Sequence, residues 1–220
     1  MNKGFGDSMK QTVGEKIFSV FNMAALGVVA LLCLYPFLYT LSISLSTAIE
    51  ASRDGFHLYP KEVSLMSYRV VLSNPDIMMG FLNSVIRTVL GVILTVTATC
   101  VAAYPLSRRE MPHRSLITFI IVFTMLFGGG MVPGYLLIKN LGFINTIWAL
   151  VVPGMLSAFS IIIVKNYFQS LPESLVESAR MDGAGEWRIL FQIYIPLSKP
   201  VLATVALWSA VGHWNAWFDA

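Results

Sequence analysis

The sequence predicts an all-α, polytopic membrane protein, and three features carry that prediction. The 220 residues are 56% hydrophobic and only 12% charged, where a soluble domain carries about 25% charge, so lipid is the expected solvent. Long charge-free runs recur: no residue between Lys16 and Glu50 is charged, and a span needs about 20 apolar residues. Late in the chain, the segment from Ser170 to Pro200 breaks this pattern with a charged, amphipathic, helix–turn–helix-like stretch. The 15 Lys+Arg against 12 Asp+Glu give a net +3, which membrane topology explains without nucleic acid.

Five transmembrane helices follow in order. The first, 17–41, is preceded by Lys3, Lys10 and Lys16 as a signal peptide would be. Its apolar stretch far exceeds the roughly 7–15 residues of a signal-peptide core, so it is read as a retained anchor. An external loop over 46–79, with Gly55, Pro60 and Pro75, is long enough to cover part of the outer mouth. The second span, 80–103, is interrupted only by Arg87. Two readings of Arg87 stand: it snorkels to the headgroups, or it lines a polar passage. The turn from Pro105 to Arg114 holds three arginines that topology alone accounts for.

The third span, 115–131, ends at Gly128, Gly129 and Gly130, with Pro133-Gly134 just after. Either a short interfacial helix follows over 135–141, or a simple loop does. The fourth and fifth spans are 145–164 and 200–218. Pro36 in the first and Pro153 in the fourth should kink or end regular helix. Cys33 and Cys100 both fall in spans and read as small core residues, not a disulfide.

Lysine and arginine placement sets the orientation. With the N-terminus inside, ten of them (Lys3, Lys10, Lys16, Arg108, Arg109, Arg114, Lys165, Arg180, Arg188, Lys199) lie in cytoplasmic segments and four (Arg53, Lys61, Arg69, Lys139) lie outside. Residues 1–16 are then a cytoplasmic tail, and 17–220 form one transmembrane domain with a cytoplasmic loop over 165–199.

Within that loop, Ser170-Leu-Pro-Glu173 has the form of a capping box opening a helix to about residue 181. Leu171, Leu175, Ala179 and Asp182 fall on one side of it. Asp182-Gly183 should end it, glycine supplying the left-handed conformation. A second helix over 186–193 carries Trp187, Leu190 and Phe191 on its apolar side, and Pro196 and Pro200 lead into the last span. Such a structured loop suits docking to a soluble partner; a hairpin merely resting on the membrane is the other reading.

Glu177-Ser-Ala179, three residues, Gly183, nine residues, Ile193, one residue, Ile195-Pro196 resembles the E-A-A-x3-G-x9-I-x-L-P signature of membrane subunits in binding-protein-dependent ABC importers. Ser178 and Ile195 are mild departures. Asn83-Ser84, Ala102-Ala-Tyr104-x-Leu106-x-Arg108, Gly129-Gly-x-x-Pro133-x-Tyr135, Leu141-Gly-x-x-Asn145-Thr-x-Trp148 and Trp214-Asn215 are similar to the carbohydrate-importing branch, so the resemblance covers residue 17 to the end. It implies a multi-pass protein of the bacterial plasma membrane and a passage formed with a second permease subunit. It further implies an ATP-binding subunit that grips the cytoplasmic loop and an extracellular solute-binding protein that delivers a sugar. Glu177, Ala179, Asp182, Gly183 and Ala184 would be the ATPase-coupling residues. Permeases of this branch continue into a sixth span and a tail, so the resemblance makes this chain a C-terminally incomplete permease.

The chain itself has no G-x-x-x-x-G-K-[ST] and no G-x-S-x-G, so no catalytic residue is expected and nucleotide chemistry falls to another subunit. His57, His113 and His213 are scattered, and no metal or cofactor is expected. The last span carries Trp208, His213, Trp214, Asn215, Trp217 and Asp219. At helical spacing Trp208, Asn215 and Asp219 share a face. Aromatic faces with an amide suit a sugar, making Trp208, Trp214, Asn215 and Arg87 candidates for the substrate pathway. An interfacial aromatic belt is the plainer reading. The alternative function is a non-transporting scaffold, or an inactive truncated remnant, that docks a cytoplasmic ATPase.

Overall fold

The computed structural model describes residues 12–53, 55 and 57–217. They are nearly all helical; among them the one β-type pairing is an isolated antiparallel bridge, Ser46 to Val63. The chain forms two compact units, residues 1–78 and 79–220.

The first unit opens on α1 (Val13–Ser44), 32 residues long. A reciprocal box starts it: Glu15 N–H donates to Thr12 Oγ1 (3.4 Å) and Thr12 N–H to Glu15 Oε2 (2.7 Å). That cap extends the helix a turn beyond the expected 17–41. Pro36 lies inside α1 without ending it. At 1.5 Å per residue α1 is about 48 Å long, more than the roughly 30 Å of bilayer hydrocarbon. Its large apolar side chains, such as Phe18, Phe21, Leu31 and Phe37, are exposed, which suits a helix solvated by lipid. Cys33 is exposed with them, correcting its assignment to a core; Cys100 alone is buried.

Behind α1 come two short helices, α2 (Ala48–Ala51) and α3 (Met66–Ser73). Buried Glu50 clasps the intervening strap, its carboxylate accepting from the backbone N–H groups of Lys61 (2.8 Å) and Glu62 (3.1 Å).

The second unit is built around α4 (Pro75–Ser107). Arg87, Gly91, Thr95, Thr99 and Ala103 recur every fourth residue as its buried stripe. Small residues on one stripe let neighbouring helices approach closely in lipid. Next are α5 (Arg114–Leu126) and α6 (Met131–Asn140), bent by 117° at the glycine break, where Gly130 has φ +83°. A helix therefore follows the glycines, and the simple-loop alternative is set aside.

The expected fourth span at 145–164 is instead broken, and this is a correction. It forms α7 (Ile147–Val151) and, beyond Pro153, α8 (Ala158–Ser170), whose start Ser157 caps through Ser160 N–H (3.4 Å). Then come α9 (Ser174–Met181), α10 (Glu186–Leu197) and α11 (Lys199–Asn215), with 83° between the last two.

One buried cluster joins this unit. Cys100, Ala103, Tyr104 and Leu106 of α4 meet Ile161, Val164 and Phe168 of α8, Val176 of α9, Ile189, Leu190 and Tyr194 of α10, and Leu202 and Val205 of α11. Two helices, α1 and α4, are long and apolar enough to cross a bilayer, and up to four spans result if each bent pair counts as one.

Candidate functional site

The second unit offers two places of interest: a polar cavity along α4 and α11, and the α9–α10 hairpin.

The cavity holds about 600 Å³ and is walled by α4, the α7–α8 break and α11. Polar groups face it from each: Arg87 and Thr95, Ser157 and Ser160, and His213. Irregular backbone at membrane depth is tolerated where it lines a cavity, and the break at Pro153 and Gly154 does so here. Trp208 lines it as well, its ring 5.5 Å from that of Phe159.

Arg87 is only 5% exposed, and its Nη1 donates to the Ala216 carbonyl at 3.3 Å. The snorkelling reading is thus corrected: the side chain is held inside and also lines a second cavity of about 650 Å³ with Asn83, Ser84 and Asn145. Trp214 packs edge-on against Phe81 (6.0 Å, 89°), and neither it nor Asn215 lines the Trp208 cavity. The grouping of Trp208 with Asn215 is therefore not a shared lining, and Asp219 lies outside the described residues. Sequence reasoning passed over Gly91, on which the His213 ring rests so closely that a Cβ there would be 2.3 Å from Nε2. The four-residue spacing of Arg87, Gly91, Thr95 and Thr99 was the available signal.

At the hairpin, the capping box at Ser170 does not form. The Ser170 hydroxyl donates to Tyr167 O (2.7 Å) and closes α8. Leu171, preceding Pro172, is driven to extended backbone (ψ 142°), which stops the helix there. Glu173 is instead the residue ahead of α9.

The far end of α9 matches expectation. Gly183 has φ +76°, with Gly183 N–H donating to Arg180 O (3.0 Å) and Ala184 N–H to Ala179 O (2.9 Å), the two bonds of a Schellman turn. Glu177, Asp182 and Gly183 are exposed at the tip with Met181, whereas Ala179 and Ala184 are half-buried against the core cluster.

α10 departs from its expected face. Ile189, Leu190 and Tyr194 are buried, while Trp187 and Phe191 are exposed and stack on each other at 6.2 Å. A π turn over Leu190–Tyr194 explains the shift and carries the helix past residue 193. Pro196 can neither donate to nor easily clear the Gln192 carbonyl, and the wider turn accommodates it.

A polar cluster ties the hairpin down. Tyr104 Oη donates to Glu186 Oε2 (2.5 Å), and Arg180 Nη2 donates to Glu186 Oε1 (2.9 Å) and Glu110 Oε2 (3.3 Å). Arg108 sits over the Tyr104 ring and donates to Tyr194 Oη (3.1 Å). The Tyr104 hydroxyl, and after it the Arg180 guanidinium, hold the Glu186 carboxyl below its ordinary range despite desolvation acting the other way. Among the described residues, no group of three or more His, Cys, Asp or Glu could hold a metal.

A family model described as the binding-protein-dependent transport system inner membrane component matches residues 77–218. The chain is 41% identical over 213 residues to protein LplC of Bacillus subtilis, spanning 97% of this chain and 72% of that one. It is 40% identical over 206 residues to the polygalacturonan/rhamnogalacturonan transport system permease protein YtcP of the same organism, spanning 94% and 72%. A solved bacterial ABC transporter involved in import of the acidic polysaccharide alginate superposes with a TM-score of 0.90 at 36% identity, covering 94% of this chain and 74% of that chain. By these matches, and by an all-helical architecture with apolar membrane helices, the chain belongs to the family of binding-protein-dependent transport system inner membrane components.

Proposed function

We propose that the chain is the permease subunit of an ABC importer, passing a sugar or oligosaccharide into the cell by alternating access while a separate subunit hydrolyses ATP. The observation that carries this reading is a family match over the unit in which a capped hairpin, bearing Glu177-x-Ala179 and Gly183, is packed into the same core as the cavity-lining helices. A scaffold would need no polar cavity at membrane depth. Saccharide cargo is supported by relatives whose names specify polygalacturonan, rhamnogalacturonan and diacetylchitobiose.

In this reading five spans cross the plasma membrane, residues 1–16 are a cytoplasmic tail, 46–79 lie outside and 165–199 lie inside. Residues 17–220 act as one transmembrane domain. The partners are ATP-binding subunits, a second permease and an extracellular binding protein. Glu177, Asp182 and Gly183 meet the ATPase, and Ala179 and Ala184 hold the turn that presents them. Arg87 and Trp208 line the substrate pathway. Trp214 and Asn215 sit near its end on the last helix. Catalysis stays with the ATPase, since the relatives are permease subunits.

The test is uptake by the reconstituted transporter with its partners. Gly183→Asp places a charged side chain at φ +76° on the exposed tip, and should abolish ATP-dependent sugar uptake while leaving membrane insertion intact. Undiminished uptake would remove the coupling role.

A further inference from the structure

Apolar packing holds the hairpin against α4, but such contacts are non-directional and allow sliding. One carboxylate fixes the register. Glu186, the first residue of α10, accepts from Tyr104 Oη of α4 on Oε2 and from Arg180 of α9 on Oε1. Arg180 reaches on to Glu110, in the turn that leaves α4. Both arms of the hairpin and the end of α4 therefore converge on one side chain. The Tyr104 phenol is 7% exposed, so its bond is shielded from water.

We propose that Glu186 is a positioning residue that makes the hairpin and α4 move as one body, Tyr104 and Arg180 being its two attachments. The proposal rests on the coupling role given above to the hairpin. Displacement at the tip reaches Tyr104 through this carboxylate. It then travels along a continuous helix to Thr95, about 13 Å away, and Arg87, about 26 Å away, both in the cavity wall. The exposed Arg180 pairs add little to stability. Their contribution is geometric: severing them leaves the core cluster in place and loosens the timing between hairpin and cavity.

The experiment measures sugar uptake and ATP hydrolysis in the same vesicles for the complete reconstituted transporter. Glu186→Ala should raise the ATP consumed per sugar by about threefold to tenfold, the scale of one lost charge-assisted hydrogen bond. Glu186→Gln keeps one acceptor for Tyr104 and should raise the ratio less. Tyr104→Phe combined with Glu186→Ala should be no worse than Glu186→Ala alone, because both break one link. A variant that lowers uptake and hydrolysis together, at a fixed ratio, marks a merely structural residue and overturns the proposal. An unchanged ratio beside an inactive Gly183→Asp overturns it too while sparing the coupling reading. Full uptake by Gly183→Asp overturns both.

Discussion

A methyl group at position 91 would stand 2.3 Å from His213 Nε2 and 2.4 Å from Cδ2, closer than any real contact. Gly91→Ala must therefore push the imidazole off α4 and into the cavity that His213 lines. Overpacking of this kind costs about 1–3 kcal/mol. We expect Gly91→Ala to lower the thermal midpoint of the purified protein, and His213→Ala in the same chain to recover most of the loss. Additive losses would mean the two residues do not touch. Gly183 makes an instructive pair with Gly91. The role of Gly183 was readable because Asp182-Gly183 is a local stop signal, its cause lying within the turn itself. The cause of Gly91 lies on another helix, far along the chain, where no local pattern can announce it. Arg87 was misplaced for a similar reason: snorkelling is the rule for an isolated helix, and it fails when Ala216 of another segment supplies an acceptor.

Among the elements, those set by local chemistry were legible and those set by phase were not. Pro153 was expected to break regular helix and does, which divides the fourth charge-free run into α7 and α8. The buried face of α10 was misjudged because the π turn rotates every later side chain relative to a regular 3.6-residue pattern, bringing Ile189 and Tyr194 inward and leaving Trp187 and Phe191 out. At the strap behind α1, Glu50 gives a pH prediction. The Lys61 backbone N–H, above all, and then that of Glu62 hold its carboxyl below its ordinary value of 4.5. Because the folded pKa is depressed, the clasp is complete at pH values above that ordinary value and is lost as pH falls through the lower, folded one. Hydrogen exchange at the Lys61 and Glu62 amides should thus keep its protection from pH 8 down to about 5 and lose it only below the ordinary glutamate value. Loss of protection near neutrality would show that the carboxylate is not what holds the strap.

On the scale of the whole molecule, composition alone identified lipid as the solvent and helix as the architecture, because both follow from sums over many residues. The span count was harder. Charge-free runs mark where apolar chain lies but are blind to bends, and the 117° and 83° breaks leave two long helices and two bent pairs where five uniform spans were expected. The hairpin's outline was visible as a charged interruption, but its integration into the core through Val176, Ile189, Leu190 and Tyr194 was not. That integration is what lets a push on the tip reach the cavity wall.

The account stands on which side of the membrane the tip of that hairpin faces. Cysteine labelling in intact cells decides it, using Glu177→Cys in a background with Cys33 and Cys100 replaced by serine. A membrane-impermeant maleimide should fail to label intact cells and should label inverted vesicles, with protection when the ATP-binding subunit is bound. Labelling of Glu177→Cys from outside intact cells would contradict the account.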